Sequence, residues 1–211
     1  MRKTRSSAGN KDVYVLGAGG HARSVLNLLR LKGYRVRGFF DDTSRSSDET
    51  IAGIPVLGKI KDVPPRGALV LATGNNPLRE GWLKEFGARV LKIDLVHPSA
   101  IIEQDVSRGG SNQVMANAYI NSFAKVGSNN ILNTRCVLEH EAVLGNSSHI
   151  AVGAVVCGRS VIGDRCLIGA GAVVIDRITV CNDVTIGAGA VVIDHIKSPG
   201  TYVGNPARKI K

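Results

Sequence analysis

Residues 126–173 read VGSNNI LNTRCV LEHEAV LGNSSH IAVGAV VCGRSV IGDRCL IGAGAV when the chain is divided into blocks of six. The same register covers residues 102–197 in sixteen blocks, and every block except the one at Arg108 begins with an aliphatic residue. The fifth residue of a block is usually small, and the second is often glycine. A period of six fits neither a helix nor a regularly alternating strand, and it is typical of a β-helix. We interpret the aliphatic residue as pointing inward, the small residue as filling a corner, and the glycine as giving the turn its backbone freedom.

Bulk composition limits the classes of protein to which the chain can belong. Hydrophobic residues make up 44% of the sequence and charged residues 21%, as in globular proteins. No apolar run approaches the roughly 20 residues of a membrane span, and residues 1–11 lack the apolar centre of a secretory signal. The four cysteines form no Cys-x-x-Cys pair. We therefore expect a reduced, cytoplasmic protein without a membrane span.

The formal net charge is +10, and basic residues crowd both ends of the chain. Nucleic-acid binding would explain this charge, but the sequence has no nucleic-acid-binding motif and only 4% aromatic residues for base stacking. Polyanionic small molecules, such as a nucleotide sugar and coenzyme A, would use the same positive field. Solubility alone is the third explanation.

The segment before the repeats has the pattern of a nucleotide-binding unit. An apolar run at residues 13–16 leads to the turn GAGGHA at residues 17–22, and an amphipathic helical stretch follows. A second apolar run at residues 36–40 closes on Asp41 and Asp42. Strand, glycine turn, helix, strand and acid form the opening βαβ unit of a parallel nucleotide-binding sheet. The glycines would place backbone N–H groups and a helix N-terminus against a phosphate.

Two kinds of nucleotide ligand are compatible with this turn. Gly17, Gly19 and Ala22, with an acid about 20 residues on, loosely fit the dinucleotide fingerprint, so a nicotinamide-dependent enzyme is an alternative. The segment has about 80 residues, which is only half of a dinucleotide fold and favours a mononucleotide group.

The remaining elements complete a two-domain prediction. We expect a strand over residues 68–72, a helix over residues 78–86 and a strand over residues 89–93. The tail at residues 198–211 cannot continue the repeat. We therefore predict a Rossmann-like nucleotide-sugar-binding domain at residues 12–97, and a β-helix domain with a C-terminal tail at residues 98–211.

Four stretches carry a resemblance to a known family. They are GAGGH at residues 17–21, FFDD at 39–42, GNN at 74–76 followed by Arg79, and ILNTRCVLEHEAVLGNSSHIAVG at 131–153, which is the most specific. Residues 11–211 resemble the nucleotide-sugar N-acetyltransferases of the bacillosamine type, within the hexapeptide-repeat acyltransferase superfamily. The resemblance implies an α/β Rossmann-like mononucleotide-binding domain followed by a left-handed parallel β-helix, in which three blocks make one coil.

An activity also follows from the resemblance. Acetyl-CoA would be the co-substrate, and no metal would be required. The acetyl group would pass directly to the 4-amino group of a UDP-linked aminodideoxy sugar, for surface glycan or glycoprotein biosynthesis.

His140 is the candidate catalytic base. It is third in its block, at an expected corner, with carboxylates on both sides at Glu139 and Glu141. An ammonium group cannot attack a thioester, so acetyl transfer to an amine needs a base, and a carboxylate would stabilise the imidazolium that forms. The resemblance implies His140 as base and Glu141 as its supporting carboxylate. Because neighbours in an extended chain point apart, Glu141 can act only if the corner bends.

His149 follows His140 by nine residues. If a coil has 18 residues, the two histidines lie on opposite sides of one prism and can meet only between two copies. A cyclic homotrimer with active sites between subunits would bring them together. The resemblance implies that His149 contacts acetyl-CoA near its carbonyl and that Asn133 binds substrate. An ordinary corner asparagine is the alternative for Asn133.

The resemblance assigns the other site residues to two ligands. The nucleotide sugar would contact Gly19, Gly20, His21, Asp41, Asp42 and Gly74. Acetyl-CoA would contact the main chain at Gly158, Ala170 and Ala188.

Three other functions are compatible with parts of the pattern. A zinc carbonic anhydrase can use the same coils, but the repeats offer only His140, His149 and His195 as ligands. An O-acetyltransferase for sialic acid or a related sugar hydroxyl would need the same base. A non-catalytic nucleotide-sugar-binding module would bind without turnover, and the His140–Glu141 pair argues against it.

Overall fold

The computed structural model describes residues 11–43 and 48–211, so the basic residues Arg2, Lys3 and Arg5 lie outside the described part. The chain divides into two compact units, Met1–Ala72 and Thr73–Lys211. Neither helix in the described part has the length and apolar character needed to cross a bilayer.

The first unit is an open sheet with one α-helix. Its elements are β1 Asp12–Leu16, α1 Gly20–Leu31, β2 Arg35–Phe40, β3 Thr50–Ile51, β4 Ile54–Gly58, a 3-10 helix at Ile60–Asp62, and β5 Ala68–Leu71. The strand order is β3-β4-β2-β1-β5, with every pairing parallel except that of β3 with β4. Apolar side chains of α1, including Val25 and Leu29, are fully buried. The predicted βαβ unit is confirmed, and the β3–β4 hairpin is an element that the sequence pattern did not reveal.

The second unit begins with one helix and continues as short strands. They are α2 Asn76–Phe86, β6 Leu95–Val96, β7 Ile101–Ile102, β8 Ser107–Gly110, β9 Gln113–Val114, β10 Tyr119–Ile120, β11 Lys125–Ser128, β12 Ile131–Leu132, β13 Val137–Leu138, β14 Val143–Leu144, β15 His149–Ile150, β16 Val155–Val156, β17 Val161–Ile162, β18 Leu167–Ile168, β19 Val173–Val174, β20 Thr179–Val180, β21 Val184–Ile186, β22 Val191–Val192, β23 Gly200–Val203 and β24 Arg208–Lys209. The strand predicted over residues 89–93 is wrong, because the chain forms its next named strand only at β6.

The strands form the three faces of a parallel β-helix. Face 1 contains β7, β10, β13, β16, β19 and β22; face 2 contains β8, β11, β14, β17 and β20; face 3 contains β6, β9, β12, β15, β18, β21, β23 and β24. Val137 pairs with Val155 and His149 with Leu167, so one coil is 18 residues, or three blocks. The first residue of each block fills the interior, as predicted, and the fifth residue lies buried at the corner.

The corners turn at the fourth residue of each block, which adopts a left-handed conformation. This residue has a positive φ in all fifteen blocks from Asp105 to Gly189, and twelve of the fifteen are not glycine. A left-handed conformation costs roughly 1–2 kcal/mol for an ordinary residue. Backbone hydrogen bonds between coils offset this cost, as when Glu141 N donates to Ser122 O at 3.1 Å and Arg159 N to His140 O at 3.0 Å.

The interpretation of the second-position glycines as flexible turn residues is wrong. None of them has a positive φ; instead the coils approach too closely there for a side chain. A Cβ on Gly127 would lie 2.5 Å from Gly145 O, and one on Gly145 would lie 2.8 Å from the carbonyl carbon of Gly163. These glycines therefore set the spacing between successive coils.

The two ends of the second unit depart from the repeat. At the C-terminal end, β23 extends face 3 in parallel with β21, and β24 returns antiparallel to β23, so the tail covers the last coil. At the other end, Asn76 and Arg79 of α2 hydrogen-bond to carbonyl groups of the coils. The packing division therefore precedes α2. The sequence-based boundary at residue 97 follows α2, and as a boundary between folding domains it stays a prediction.

Candidate functional site

His140 lies at the corner between faces 1 and 2, two residues after β13. The next residue, Glu141, is the left-handed corner residue with a φ of 60°, and this bend brings the two side chains together. His140 Nδ1 donates to Glu141 Oε2 at 3.2 Å, and the side chains are 44% and 49% exposed. A carboxylate on Nδ1 leaves Nε2 as the basic nitrogen. The corner thus meets the geometric condition that the sequence set for this pair.

A cation from the next coil also binds Glu141. Arg159 follows Glu141 by one coil, and its Nε donates to the same Oε2 atom at 3.0 Å. The hydrogen bond from His140 lowers the pKa of Glu141 below its ordinary value, and the charge of Arg159 acts in the same direction. Glu141 is therefore held as an anion beside the imidazole.

Gly158 leaves the space that the His140 ring occupies. It lies one coil after His140, and a Cβ there would be 2.6 Å from His140 Cε1 and 2.7 Å from Nε2. The same point lies 3.0 Å from Asp176 Oδ1, so a second carboxylate approaches the imidazole across this glycine. Gly158 was expected at acetyl-CoA, and the structure places it beside the candidate base.

His149 lies on face 3, in β15, and has its own set of neighbours. Asn133 Nδ2 donates to His149 Nε2 at 3.1 Å, while Asn133 Oδ1 accepts from Thr134 N at 2.8 Å. A Cβ on Gly74 would lie 3.8 Å from His149 Nδ1 and Cε1. The sequence had placed Asn133 and Gly74 with the nucleotide sugar, and the structure brings both to His149.

The predicted residues of the second unit therefore fall into two groups. His140, Glu141 and Gly158 share the corner between faces 1 and 2. His149 and Asn133 lie on face 3 and its edge, and Ala170 and Ala188 follow at the corner between faces 3 and 1. A corner between two faces of a prism lies opposite the third face. The two histidines consequently cannot reach one substrate atom within a single chain.

An open cavity of about 390 Å³ borders face 3 below His149. One side is the segment Gly74, Asn75, Asn76 and Pro77; the other is Arg165, Leu167, Asp183 and Thr185. Leu167 and Thr185 lie one and two coils after His149 in the outward column of face 3.

The first unit presents a helix N-terminus at its glycine turn. Gly17 has a φ of 101° and needs to be glycine, but Gly19 and Gly20 have no positive φ. A Cβ on either of these two would meet nothing within 4 Å. No side chain caps α1, which begins at Gly20 with His21 in its first turn. The open space and the uncapped N–H groups suit an anionic phosphate.

Asp41 and Asp42 follow β2, where the sequence predicted them. Asp41 Oδ2 accepts from Ala18 N at 2.6 Å, and Asp41 Oδ1 accepts from Thr43 N and Oγ1. Burial alone would raise the pKa of Asp41, but the hydrogen bonds from Thr43 and Ala18 hold it below its ordinary value. Asp42 Oδ1 accepts from Ile60 N at 3.0 Å. Both carboxylates thus shape the turn, and their free lone pairs can still accept from a ligand.

The sequence analysis missed three charged residues at these groups. Arg159 and Asp176 lie one coil after Glu141 and two coils after His140, so a spacing of 18 and 36 residues was their signal. Arg79 binds Ser148 O beside His149 but carries no periodic signal. Within the described part of the chain, no three His, Cys, Asp or Glu side chains group as a metal site would require.

Comparisons with known proteins decide the family. Residues 12–86 match the model of the PglD N-terminal domain, and residues 159–194 match the bacterial transferase hexapeptide (six repeats). The acetyltransferase domain of PglB from Neisseria gonorrhoeae FA1090, solved with acetyl coenzyme A, is 31% identical with a TM-score of 0.85, over 96% of this chain and 100% of that chain. The chain belongs to the sugar N-acetyltransferases of the hexapeptide superfamily.

Other members of this superfamily are similarly close. PerB from Caulobacter crescentus, solved with CoA and GDP-perosamine, is 30% identical with a TM-score of 0.87, over 95% of this chain and 97% of that chain. The UDP-N-acetylbacillosamine N-acetyltransferase of Bacillus subtilis is 30% identical over 112 residues, which is 50% of this chain and 52% of that protein. The chain spans about half or less of the length of the curated relatives that it matches. The predicted fold class, an α/β nucleotide-binding region followed by a left-handed β-helix of hexapeptide repeats, is confirmed.

Proposed function

We propose that this protein transfers the acetyl group of acetyl-CoA to the 4-amino group of a UDP-linked aminodideoxy sugar, in the cytoplasm, for glycan or glycoprotein biosynthesis. The observation that supports it best is the His140–Glu141 pair at an accessible corner. The relatives support the substrate class, since one is named for a UDP-sugar and another was solved with a GDP-sugar. UDP is therefore the nucleotide to test first and GDP the second.

The chemistry assigned to His140 is a proton transfer. The neutral amine attacks the thioester carbonyl, a C–N bond forms, and His140 Nε2 takes the amine proton. The C–S bond then breaks, and the imidazolium returns the proton to the departing thiolate, which yields the amide and free CoA. Glu141 stabilises the imidazolium because its carboxylate already accepts from Nδ1.

The acetyl donor is assigned to the His149 group. An oxyanion develops on the thioester carbonyl, and a hydrogen-bond donor placed there stabilises the transition state. We assign this donor to His149, oriented by Asn133 at 3.1 Å. Ala170 and Ala188, small residues at the neighbouring corner, leave the main chain open for the rest of the acetyl-CoA.

Two copies of the chain are needed to join the groups. Face 1 offers the contact surface, because the outward residues of its six strands are all apolar or aromatic: Ile101, Tyr119, Val137, Val155, Val173 and Val191. A continuous apolar face of this kind marks an association surface. His140 lies at the corner where face 1 ends, so a second copy packed there would bring its face 3 toward this histidine. A cyclic homotrimer would repeat the arrangement three times.

The test is a thiol-release assay with acetyl-CoA and either a UDP- or a GDP-linked 4-amino-4,6-dideoxy sugar. We expect turnover in the wild type, no turnover in His140→Ala, and a rise in Tm with the nucleotide sugar in both. Binding without turnover in the wild type would refute the amine acceptor and favour a hydroxyl acceptor or a binding module. If no nucleotide sugar raises Tm, the substrate class is wrong.

A further inference from the structure

A fully buried arginine connects α2 to the coils. Arg79 is 0% exposed and donates four hydrogen bonds. Its Nε donates to Asn129 O at 3.1 Å, Nη1 to Thr73 O at 3.0 Å, and Nη2 to Asn76 Oδ1 at 2.8 Å and Ser148 O at 3.1 Å. All four acceptors are neutral oxygens.

This environment is unfavourable for a cation. Burial lowers the pKa of Arg79 to about 9, so the guanidinium is charged at neutral pH without a carboxylate among these acceptors. Apolar residues of similar volume often match or exceed the stability of buried charges. A role in holding specific atoms explains the choice of arginine better than packing does, because its planar fork fixes several acceptors at once.

Two of the four acceptors flank His149. Ser148 directly precedes His149 in the chain. Thr73 directly precedes Gly74, the residue whose missing side chain faces the His149 ring at 3.8 Å. One guanidinium therefore fixes the backbone on both sides of this imidazole.

Asn76 extends the same contact to a third coil. Its Oδ1 accepts from Arg79, and its Nδ2 donates to Cys166 O at 2.8 Å. The corners at Asn129, Ser148 and Cys166 belong to successive coils, so the start of α2 is bound to three of them. The cavity below His149 has this segment as one of its sides.

We propose that Arg79 is a positioning residue, which holds the His149 ring against the Gly74 segment and so sets the geometry of the acetyl-donor site. This inference rests on the proposed function for the kinetic consequence, since His149 is there assigned to the acetyl carbonyl. The placement of the ring can be measured without turnover.

The experiment compares Arg79→Ala with Asn112→Ala in the full-length protein. Asn112 is also 0% exposed and bonds to Gly127 O and Asn130 N at a coil corner, but it does not contact α2. Each variant is measured by thermal unfolding, by KM for acetyl-CoA and kcat, by the Kd for CoA, and by the ring ¹H–¹⁵N spectrum of its histidines. The His149 signal is assigned with His149→Gln, and His195 is the internal reference.

We expect Arg79→Ala to shift the His149 signal but not that of His195. We also expect kcat/KM for acetyl-CoA to fall by about tenfold or more, as is usual when a residue that orients a functional group is lost. Methylguanidinium in the buffer should restore both. Asn112→Ala should lower Tm while leaving the His149 signal and KM at their wild-type values.

A wild-type His149 signal and wild-type kinetics in Arg79→Ala would overturn the proposal, whatever the Tm. If Arg79→Ala does not fold, Arg79→Lys decides, because one ammonium cannot hold both Thr73 and Ser148; wild-type spectra and kinetics in that variant would refute the role. If both variants fail to fold while Asn112→Ala folds, Arg79 is structural and the proposal is wrong. If the wild type has no acetyl-CoA turnover, the proposed function fails, but the His149 signal still tests the placement.

Discussion

Replacing Gly158 by alanine should displace the catalytic base while leaving the coil intact. The new Cβ would lie 2.6 Å from His140 Cε1 and 2.7 Å from Nε2, whereas ordinary contacts between such atoms are roughly 3.5 Å. The ring must therefore move by roughly 0.8–1 Å. Gly158 has no positive φ, so the backbone itself accepts alanine without strain.

A displacement of about 1 Å can reduce the rate by about 10²-fold, which corresponds to about 2.7 kcal/mol in the activation free energy. The cost in stability should be small, because the clash involves the end of a half-exposed side chain that can rotate away. We therefore expect kcat in the thiol-release assay to fall by about two orders of magnitude, with little change in Tm.

Gly81→Ala is the matched control for this substitution. Gly81 is exposed in α2, and a Cβ there meets nothing within 4 Å. It should leave kcat unchanged and stabilise the protein by about 0.5–1 kcal/mol. A Gly158→Ala enzyme whose kcat stays within about threefold of the wild type would refute the reasoning, since 1 Å of ring displacement would then have no kinetic consequence.

Three other substitutions test separate parts of the structure. Glu141→Gln should lower kcat about tenfold through loss of imidazolium stabilisation; and because His140 lowers the pKa of Glu141, the wild-type stabilisation is complete above the ordinary value of 4.5 and is lost as the pH falls through the lower folded-state value. Acid unfolding that is identical in the variant would contradict this. Gly145→Ala should lower the free energy of unfolding by about 1–3 kcal/mol, because its Cβ would lie 2.8 Å from the next coil; an unchanged thermal melt would disprove the close approach. Gly20→Ala should raise KM for the nucleotide sugar without changing Tm, and a loss of Tm instead would mean that the glycine serves the fold.

The β-helix was predictable because one structural demand recurs at every block. An inward aliphatic and a small corner residue are required in each coil, so the period of six appears directly in the sequence. The residue that makes the turn leaves no such trace. At the fourth position the chain carries types as different as Asp105, Phe123 and Arg135, since backbone hydrogen bonds between coils, rather than the side chain, stabilise the left-handed conformation.

The site was predictable in part. His140 and Glu141 are adjacent in sequence, and the structure adds only the bend that joins them. The neighbours of His140 at Gly158 and Asp176 become visible once the coil is known to have 18 residues. Arg79 could not be found in this way, because its acceptor Ser148 is 69 residues away and only the packing of α2 brings them together.

The central claim is that His140 of one copy and His149 of another form one active site. Mixing inactive His140→Ala with inactive His149→Ala, after unfolding and refolding together in equal amounts, tests it directly. In a cyclic trimer with sites between subunits, random assembly should restore about a quarter of the wild-type specific activity, because that fraction of the sites receives both intact histidines. If both histidines served the same site from a single chain, no mixture would contain an intact site, and activity that stays at the level of the separate variants would contradict the account.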